Sequence, residues 1–491
     1  MLPLLPLLPI AQALPSVSPA TPSLTPAPTQ TVPFPQTTPP RWQIPPQDEI
    51  LPQERLAQQE IILAQEIRML PGKLDDVPVF NSNSPELVLS EGILLSTFPE
   101  DGKLFPAAHL NFTFKGRFDI FSHHISRARH PSELRSLFQG ILVYNPTSQL
   151  VTIEVLQAAS YLTRPDALFV ELPTAIDDPT GSVYAGPGSR VVNDILRGRR
   201  QGSLPAFLMI PPGESRMLMN LPIPAGVVTP TSNGRSTLMR LQSSGEVYVA
   251  NMAMFAPRSS NGSERIPTQE DWENFLKAAN LAGPRDTPPT PMERSNSDRK
   301  IYGRVAGVAR GSLWRVQLTD TPNSTQLSIP KKGRAFSYAI STLPRGTFGT
   351  GQIQSAPMLV RYSDTAYLAN GNYGIHYSFT LPLVNSSKQT STITLSIDTP
   401  LKQDKSRSEV IFLSPPESRV FFRGPIRLRY KDDSGNLQTR FLHLVQRRGQ
   451  QGVPLLTLAL PPGDRREIEV DLLYPPDATP PQLLTIRSLE H

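Results

Sequence analysis

Short apolar segments with alternating polar positions recur along the chain, and they predict β-strands. Val151, Ile153 and Val155 alternate with polar neighbours, and residues 467–472 (EIEVDL) alternate in the same way. Successive strand residues point to opposite faces, so this pattern gives each strand one buried and one solvated face. Because such segments recur about every 8 to 12 residues with turn residues between them, the sequence predicts a mainly β protein built from antiparallel sandwiches.

Two segments show the wider spacing of apolar residues that is typical of helices. Residues 49–72 place leucine and isoleucine along one side of a predicted helix before a Pro-Gly pair. In residues 268–280, Thr268 and Asp271 have the spacing of a capping box, and the apolar residues that follow lie on one face. We therefore expect a few short helices in a chain otherwise made of strands.

An internal repeat gives the chain its predicted organisation. Residues 201–216 and 451–466 are identical at seven of sixteen aligned positions, whereas average residue usage gives roughly one match. Two further pairs of segments match in the same order, namely 145–155 with 385–395 and, more weakly, 116–121 with 371–377. The collinear matches predict that one ancestral unit was copied. In that interpretation Asn145 is equivalent to Asn385, and Gly213 is equivalent to Gly463.

The repeat sets the predicted domain boundaries of the chain. The first β-sandwich unit spans residues 73–284 and ends with the helix 268–280. A polar, proline-rich linker follows at 285–299, and the second unit spans 300–491. The length of 491 residues suits two such tandem domains, because single hydrophobic cores stop growing at roughly 250–300 residues.

The first 48 residues have a composition different from that of the rest. Residues 1–13 are an apolar run followed by Ala-Gln-Ala, the small-x-small pattern of a signal-peptide cleavage site. The run lacks a preceding Lys or Arg and contains three prolines, so a disordered proline-rich tail is the alternative interpretation. Residues 14–48, rich in Pro and Thr, predict an extended, disordered tether. We expect export to the periplasm, the outer envelope or the extracellular space, with no transmembrane span after residue 13.

Composition excludes several kinds of site. The chain has no cysteine, so it has no disulfide, no thiolate zinc site and no thiol nucleophile. Its 48 Lys and Arg against 42 Asp and Glu give a net charge of +6. That mild excess suits an anionic surface and is too diffuse to indicate nucleic acid as a partner.

No pattern of catalytic, cofactor-binding or metal-binding residues is recognised in the sequence. His123 and His124 form the one histidine cluster, but neighbours in a strand point to opposite faces and cannot easily bind one metal. We therefore predict no catalytic residue, no cofactor and no metal.

Two basic clusters precede the repeated Gln-Gly pair and so occupy equivalent places in the two units. The first contains Arg197, Arg199 and Arg200, and the second contains Arg447 and Arg448. They are interpreted either as solvated hairpin tips or as paired anion-binding loops. In the second interpretation the partner is an anionic envelope polysaccharide, and two sites on one chain would give avidity.

Four long motifs resemble one known family. They lie at residues 69–99, 108–127, 141–162 and 303–320, and the first reads MLPGKLDDVPVFNSNSPELVLSEGILLSTFP. In these motifs the chain is similar to a cyanobacterial family of exported proteins known only as a domain of unknown function. The resemblance implies a cyanobacterial source and an envelope or extracellular setting, and it supplies no catalytic residues.

Three functions remain open from the sequence. The leading hypothesis is an exported structural or binding protein that presents two sandwich domains to a surface polymer or a protein partner, without catalysis. The alternative is a carbohydrate-active enzyme of the envelope, which would need two carboxylates across an aromatic-lined cleft. A third hypothesis is self-assembly through exposed strand edges.

Overall fold

The computed structural model describes residues 58–490, except 131 and 295–299. The predicted signal-like segment 1–13, the tether 14–48 and the first part of the predicted helix 49–72 lie outside the described residues. Two α-helices occur in the described residues, α1 (Pro187–Leu196) and α2 (Gln269–Ala278), with short 3-10 turns at Pro106–Ala108 and Met292–Arg294. Within the part of the chain described, no helix is long and apolar enough to cross a membrane.

Strands are the main regular elements in the described part of the first half, residues 58–284. They are β1 (Gln59–Ala64), β2 (Glu66–Arg68), β3 (Pro78–Ser82), β4 (Leu87–Val88), β5 (Gly92–Ser96), β6 (Phe114–Arg127), β7 (Leu137–Tyr144), β8 (Val151–Leu162), β9 (Ala175–Asp177), β10 (Phe207–Ile210), β11 (Ser215–Ile223) and β12 (Ser232–Phe255).

Strands also dominate the second half, so the predicted mainly β fold is confirmed. They are β13 (Ala306–Arg310), β14 (Leu313–Gln317), β15 (Leu327–Ser328), β16 (Ala335–Ile340), β17 (Ala356–Arg361), β18 (Leu368–Ala369), β19 (His376–Val384), β20 (Ser391–Asp398), β21 (Glu409–Ser414), β22 (Val420–Lys431), β23 (Leu437–Arg447), β24 (Leu456–Leu460), β25 (Arg465–Leu473) and β26 (Gln482–Ser488).

The prediction of a helix over 49–72 is wrong in the part that the structure describes. Here β1 pairs antiparallel with β21, and β2 pairs parallel with β16. Leu63 and Ile67 pack against Val410 and Phe412 of the second half. Pairing with strands far along the chain satisfies the backbone and buries these side chains, and it overrides the local helical pattern.

The helix predicted over 268–280 is present as α2, and its capping box is formed. The Thr268 side chain accepts from the backbone N–H of Asp271, and the Asp271 carboxylate accepts from the backbone N–H of Thr268. Trp272 is fully buried against β7, where Gly140 leaves the space, since a Cβ on Gly140 would lie 2.6 Å from the indole ring. The helix is thus fixed to the first half by one large side chain.

The two repeated turns make the same hydrogen bonds in both halves. Asn145 Nδ2 donates to the carbonyls of Gln149 and Ile210 at 2.7 and 2.8 Å. Asn385 Nδ2 donates to the corresponding carbonyls of Gln389 and Leu460 at 2.8 and 2.7 Å. The flanking strands also pair alike, β7 with β11 and β8 with β10 in one half, β19 with β25 and β20 with β24 in the other. Copying of one ancestral unit stays a hypothesis that these local matches favour.

The halves are joined by shared sheets. Strand β3 lies between β6, to which it is parallel, and β13 of the second half, to which it is antiparallel, in a 12-stranded sheet. Conversely, β9 of the first half joins a 7-stranded sheet of the second half, where it pairs with β23. The described residues form one compact unit, whereas the sequence predicted two units joined by a linker at 285–299. Strand edges that two separate domains would leave open are paired across the junction.

Helix α1, which sequence patterns did not reveal, lies between the halves. It contacts β8 and β12 on one side and β22 and β25 on the other. Asp477 of the second half accepts from the backbone N–H of Ser189, near the start of the helix, at 3.1 Å. Burial raises the pKa of the Asp477 carboxyl to about 6. The helix therefore depends on both halves for its surroundings.

The repeated turns generate a stability prediction. We expect Asn145→Ala and Asn385→Ala each to lower the free energy of unfolding by about 2 kcal/mol, because each leaves two carbonyls at a buried turn without a donor. Urea unfolding followed by tryptophan fluorescence measures both. The control Lys388→Ala changes an exposed residue of the second turn and should leave stability within about 0.5 kcal/mol. A loss in only one of the two asparagine variants would contradict the equivalence of the turns.

Candidate functional site

Two asparagines, one in β3 and one just after it, face the same side of the sheet. Asn81 and Asn83 alternate with Ser82, and the period of two places both amides on one face. Both residues are 5% exposed. Their Oδ1 atoms have no hydrogen-bond partner among the described residues. Buried amide oxygens of this kind are uncommon, since an unpaired buried polar group costs about 1–3 kcal/mol.

A third asparagine reaches the same place from a turn of the second half. Asn372 follows β18 and adopts φ +50°, a left-handed conformation that asparagine tolerates. Its Nδ2 donates to Ser341 Oγ at 3.0 Å, while its Oδ1 lacks a partner within the described residues. The preceding Gly371 has no room for a side chain, since a Cβ there would lie 2.7 Å from the Tyr373 ring.

These amides line a pocket of about 260 Å³ between the two halves, which we call the asparagine pocket. Its polar wall includes Asn81, Asn83, Tyr302, Arg304, Asn372 and Lys402.

A separate cavity of about 10 Å³ shares two of the asparagines. It is lined in part by Asn81, Asn372 and Asp119, and its size is that of one water molecule. One water there can satisfy Asn81 and Asn372. Asn83 lines only the larger pocket, so its amide oxygen depends on whatever occupies that space.

The charges around the pocket are largely balanced. The Arg304 guanidinium pairs with Glu86 and lies 3.6 Å from Asp286. Lys402 is an exposed residue that lines the pocket, and desolvation and the nearby Arg448 guanidinium lower its pKa. The pocket thus offers many hydrogen-bonding groups and little free charge.

The two tyrosines of the pocket act as hydroxyl groups at neutral pH. Burial raises the pKa of Tyr373 to about 12, and burial also raises the pKa of Tyr302. Together with the amides, they provide groups that bind without changing protonation near neutral pH.

A buried polar network on the opposite face fixes β3. Ser82 Oγ lies 3.0 Å from His124 Nε2 and accepts from Asn251 Nδ2 at 3.0 Å. Gln139 Nε2 donates to Asn251 Oδ1 at 3.1 Å. Burial lowers the pKa of His124 to about 3, so the imidazole is neutral here. The network holds the strand that carries Asn81.

The two neighbouring histidines contact different groups, as strand alternation predicts. His123 Nδ1 lies 2.8 Å from Ser236 Oγ, whereas His124 Nδ1 lies 2.8 Å from the carbonyl of Pro85. Across the described ranges, no group of three or more His, Cys, Asp or Glu side chains is placed to hold a metal ion.

The arginines of the first basic cluster all have partners within the protein. The Arg197 side chain is 7% exposed, lies 3.3 Å from the Asp178 carboxylate and stacks 3.9 Å above the Phe441 ring. Arg199 is more exposed and pairs with Asp194 at 3.2 Å. Arg200 is exposed and donates to the carbonyl of Leu204.

The second basic cluster retains one free cation. Arg448 pairs with Glu417. Arg447, at the end of β23, is exposed and makes no side-chain hydrogen bond or ion pair with another described residue. Anion binding by the five arginines stays a prediction, and most of their charge is matched by internal partners.

Both basic clusters adjoin the same short segment of the first half. Arg199 donates to the carbonyl of Thr180 at 2.9 Å, and Gln450, next to the second cluster, donates to Thr174 Oγ1 at 3.1 Å. Six residues separate these anchor points, which is at most about 20 Å of extended chain. The fold therefore brings the two clusters to one region, as the repeat alone could not show.

Sequence reasoning missed the asparagine pocket, although a signal is present. Two Asn-x-Asn triplets occur, Asn81-Ser-Asn83 in a strand and Asn370-Gly-Asn372 at a turn. Strand alternation places the first pair of asparagines on one face, and the left-handed conformation of Asn372 accounts for asparagine at the turn. Their meeting in space follows from the pairing of β3 with β13, which no local pattern predicts.

The arginine geometry predicts unequal effects on stability. We expect Arg197→Ser to lower the free energy of unfolding by about 3 kcal/mol, because it leaves the buried Asp178 carboxylate without its cation. Arg447→Ser, at an exposed position, should change it by less than about 0.5 kcal/mol. Thermal and urea unfolding of the two variants measure the difference. Equal effects would show that Arg197 is not a structural residue.

Comparison with known proteins gives a family and no activity. No curated protein matches the chain. A solved structure, described as "Crystal structure of Lac15 from a marine microbial metagenome", aligns at 11% identity over 77% of this chain, with a TM-score of 0.10. The chain spans about half of that structure, 53% of its length, and the low TM-score gives no basis for inference.

A family model covers most of the chain. It is described as "Protein of unknown function (DUF3370)" and matches residues 65–488, which include both halves and every residue of the asparagine pocket. The resemblance seen in the sequence motifs is confirmed at this level. The chain belongs to the DUF3370 family of proteins of unknown function.

Proposed function

We propose that this protein is an exported binding protein of the cell envelope or extracellular space that holds one sugar unit of a surface polysaccharide in the asparagine pocket. One observation carries the proposal. Asn81, Asn83 and Asn372 all line this pocket and carry buried amide oxygens without partners in the described residues, and Asn83 takes no part in the small cavity where a water can serve the other two. A ligand rich in hydroxyl groups supplies the donors that these oxygens lack.

The chemistry of the wall favours a carbohydrate. An asparagine amide offers both a donor and an acceptor, as does a tyrosine hydroxyl, and a sugar hydroxyl can satisfy either. Each amide oxygen that gains a donor recovers part of the cost of about 1–3 kcal/mol of leaving it unpaired. The same groups stay neutral near pH 7, which suits binding better than acid–base catalysis.

The size of the pocket favours one sugar ring. Pockets for drug-sized ligands span about 300–1,000 Å³, and the asparagine pocket measures about 260 Å³. A chain end or a side branch of a polysaccharide fits such a site better than the middle of an unbranched chain.

Charge favours a ligand recognised mainly through hydroxyl groups. Arg197, Arg199 and Arg448 have internal carboxylate partners, and Arg304 at the pocket has two. The proposal therefore does not require the anionic polysaccharide expected from the basic loops, and an anionic sugar is included in the binding test below.

The envelope setting and the cyanobacterial source belong to the proposal too. They are supported by the signal-like residues 1–13 and by the motif resemblance. Sequencing the mature N-terminus of the protein from fractionated cells tests the setting, and a new terminus after Ala13 is the expected result.

Calorimetric titration with glucose and glucuronate trisaccharides tests the proposed ligand. We expect wild-type protein to bind at least one of them, and Asn83→Ala to weaken that binding about tenfold, the effect of losing about 1.4 kcal/mol. Asn83 makes no side-chain hydrogen bond to another described residue, so the variant should fold normally. Tyr302→Phe should weaken binding several-fold.

A matched control separates this loss from a general effect. Asn323→Ala removes an exposed asparagine outside the pocket and should bind like the wild type. Unchanged affinity in Asn83→Ala, or no binding of either trisaccharide by the wild type, would contradict the proposal. Binding of the glucuronate trisaccharide alone would restore the anionic ligand predicted from the sequence.

A further inference from the structure

Two edge strands occupy equivalent places in the two halves. β10 pairs with β8 at the end of the 12-stranded sheet, and β24 pairs with β20 at the end of the 5-stranded sheet. The offset of 250 between the repeated segments makes Phe207 equivalent to Thr457, and Met209 equivalent to Ala459. The two edges can therefore be compared position by position.

The edge of β24 is blocked by the protein itself. The backbone N–H of Ala459 lies 3.2 Å from both carboxylate oxygens of Asp433 and donates to them. Asp433 lies in the turn between β22 and β23, and Arg466 lies 3.4 Å from its carboxylate. A charged side chain on an edge N–H prevents another strand from pairing there.

Among the described residues, nothing covers the edge of β10 in this way. In sequence, β9 and α1 lie between β8 and β10, but both pack towards the second half and leave this edge. Val155 N–H donates to the Ala206 carbonyl at 2.8 Å, so by alternation the N–H groups of Phe207 and Met209 point away from β8. No hydrogen bond joins these two N–H groups to other described residues.

Side chains on β10 are also unusual for a solvent-facing edge. Phe207 is 60% exposed and Met209 is 64% exposed, and Leu156 on the neighbouring strand is 41% exposed. The strand itself carries no charge, whereas natural edges are commonly protected by charged residues. At the equivalent positions β24 has Thr457 and Ala459. The two halves thus differ in both the backbone and the side chains of this edge.

We infer that β10 is a self-association edge at which a second copy of this chain pairs antiparallel. The pairing is two-fold symmetric about Leu208, so that Phe207 of one copy lies opposite Met209 of the other. A two-fold interface uses the same patch on both copies, and this strand offers both its apolar side chains and its free N–H and C=O groups. Pro205 and Pro211 flank the strand and limit the ladder to its four residues.

The exposed area sets the strength of this association. A large apolar side chain has roughly 200 Å² to bury, so the exposed parts of Phe207, Met209 and Leu156 amount to roughly 600 Å² over two copies. Stable interfaces bury about 1,200–2,000 Å². The dimer is therefore weak and dependent on concentration. Two asparagine pockets on one dimer would give avidity for a polymer, although the association does not require the proposed function.

Sedimentation equilibrium of the full chain over two decades of concentration tests the inference. We expect the weight-average mass of the wild type to rise towards that of a dimer. Met209→Lys should associate at least tenfold more weakly, because it places a charge on the pairing edge. The control variant Thr457→Lys, which places the same charge at an exposed position of β24, should associate like the wild type. A wild type that stays monomeric, or equal loss in both variants, would overturn the inference.

The absence of cysteine allows a direct test of the register. Leu208 lies on the symmetry axis, where facing Cα atoms in a non-hydrogen-bonded pair are about 4.5 Å apart, within the range of about 4.4–6.8 Å for a disulfide. Leu208→Cys should therefore form a cross-linked dimer under mild oxidation, and Thr457→Cys should not. Equal cross-linking of the two variants, or cross-linking of neither, would contradict the proposed pairing.

Discussion

The antiparallel pairing of β3 with β13 joins the two halves and sets the position of the asparagine pocket. It continues the sheet of the first half into the second, and β3 on its other side is held by β6. One face of β3 carries Ser82 into the buried network with His124 and Asn251, and the other carries Asn81 into the pocket. Strand β3 is thus fixed by β6, by β13 and by the buried network, whether or not a ligand is bound. A binding group fixed in this way loses little entropy when a ligand arrives.

The asparagine pocket exists only where the halves meet. Asn81 and Asn83 come from the first half, while Asn372 and Lys402 come from the second. Strand β9 and helix α1 reinforce the same junction from elsewhere in the chain. Copying a unit would yield two separate sandwiches, but the observed body shares its sheets, and the new site lies at their boundary. Its place there is typical, since ligand sites often form at boundaries between packed units.

Local patterns predicted the features that are decided locally. The alternation of apolar and polar residues predicted strands, and the capping box of Thr268 predicted α2. The repeat predicted that the turns at Asn145 and Asn385 are alike. The helix predicted over 49–72 was wrong in its described part, from residue 58 onward, because apolar spacing alone does not reveal that β1 has a partner in β21. Helix α1 was missed because its apolar face packs against both halves rather than on its own neighbours in sequence. The basic loops were located correctly, but their internal partners, such as Asp178 for Arg197, are visible only in three dimensions.

Hydrogen–deuterium exchange with and without the bound trisaccharide shows whether a sugar occupies the asparagine pocket, because it locates a ligand without changing any residue. We expect slower exchange in residues 79–84 and 369–374, the two segments that bring asparagines to the pocket from opposite halves. Residues 456–460, in the covered edge strand β24, should exchange at the same rate in both samples. Protection confined to one half, or protection around the basic clusters with none at the asparagines, would contradict this expectation.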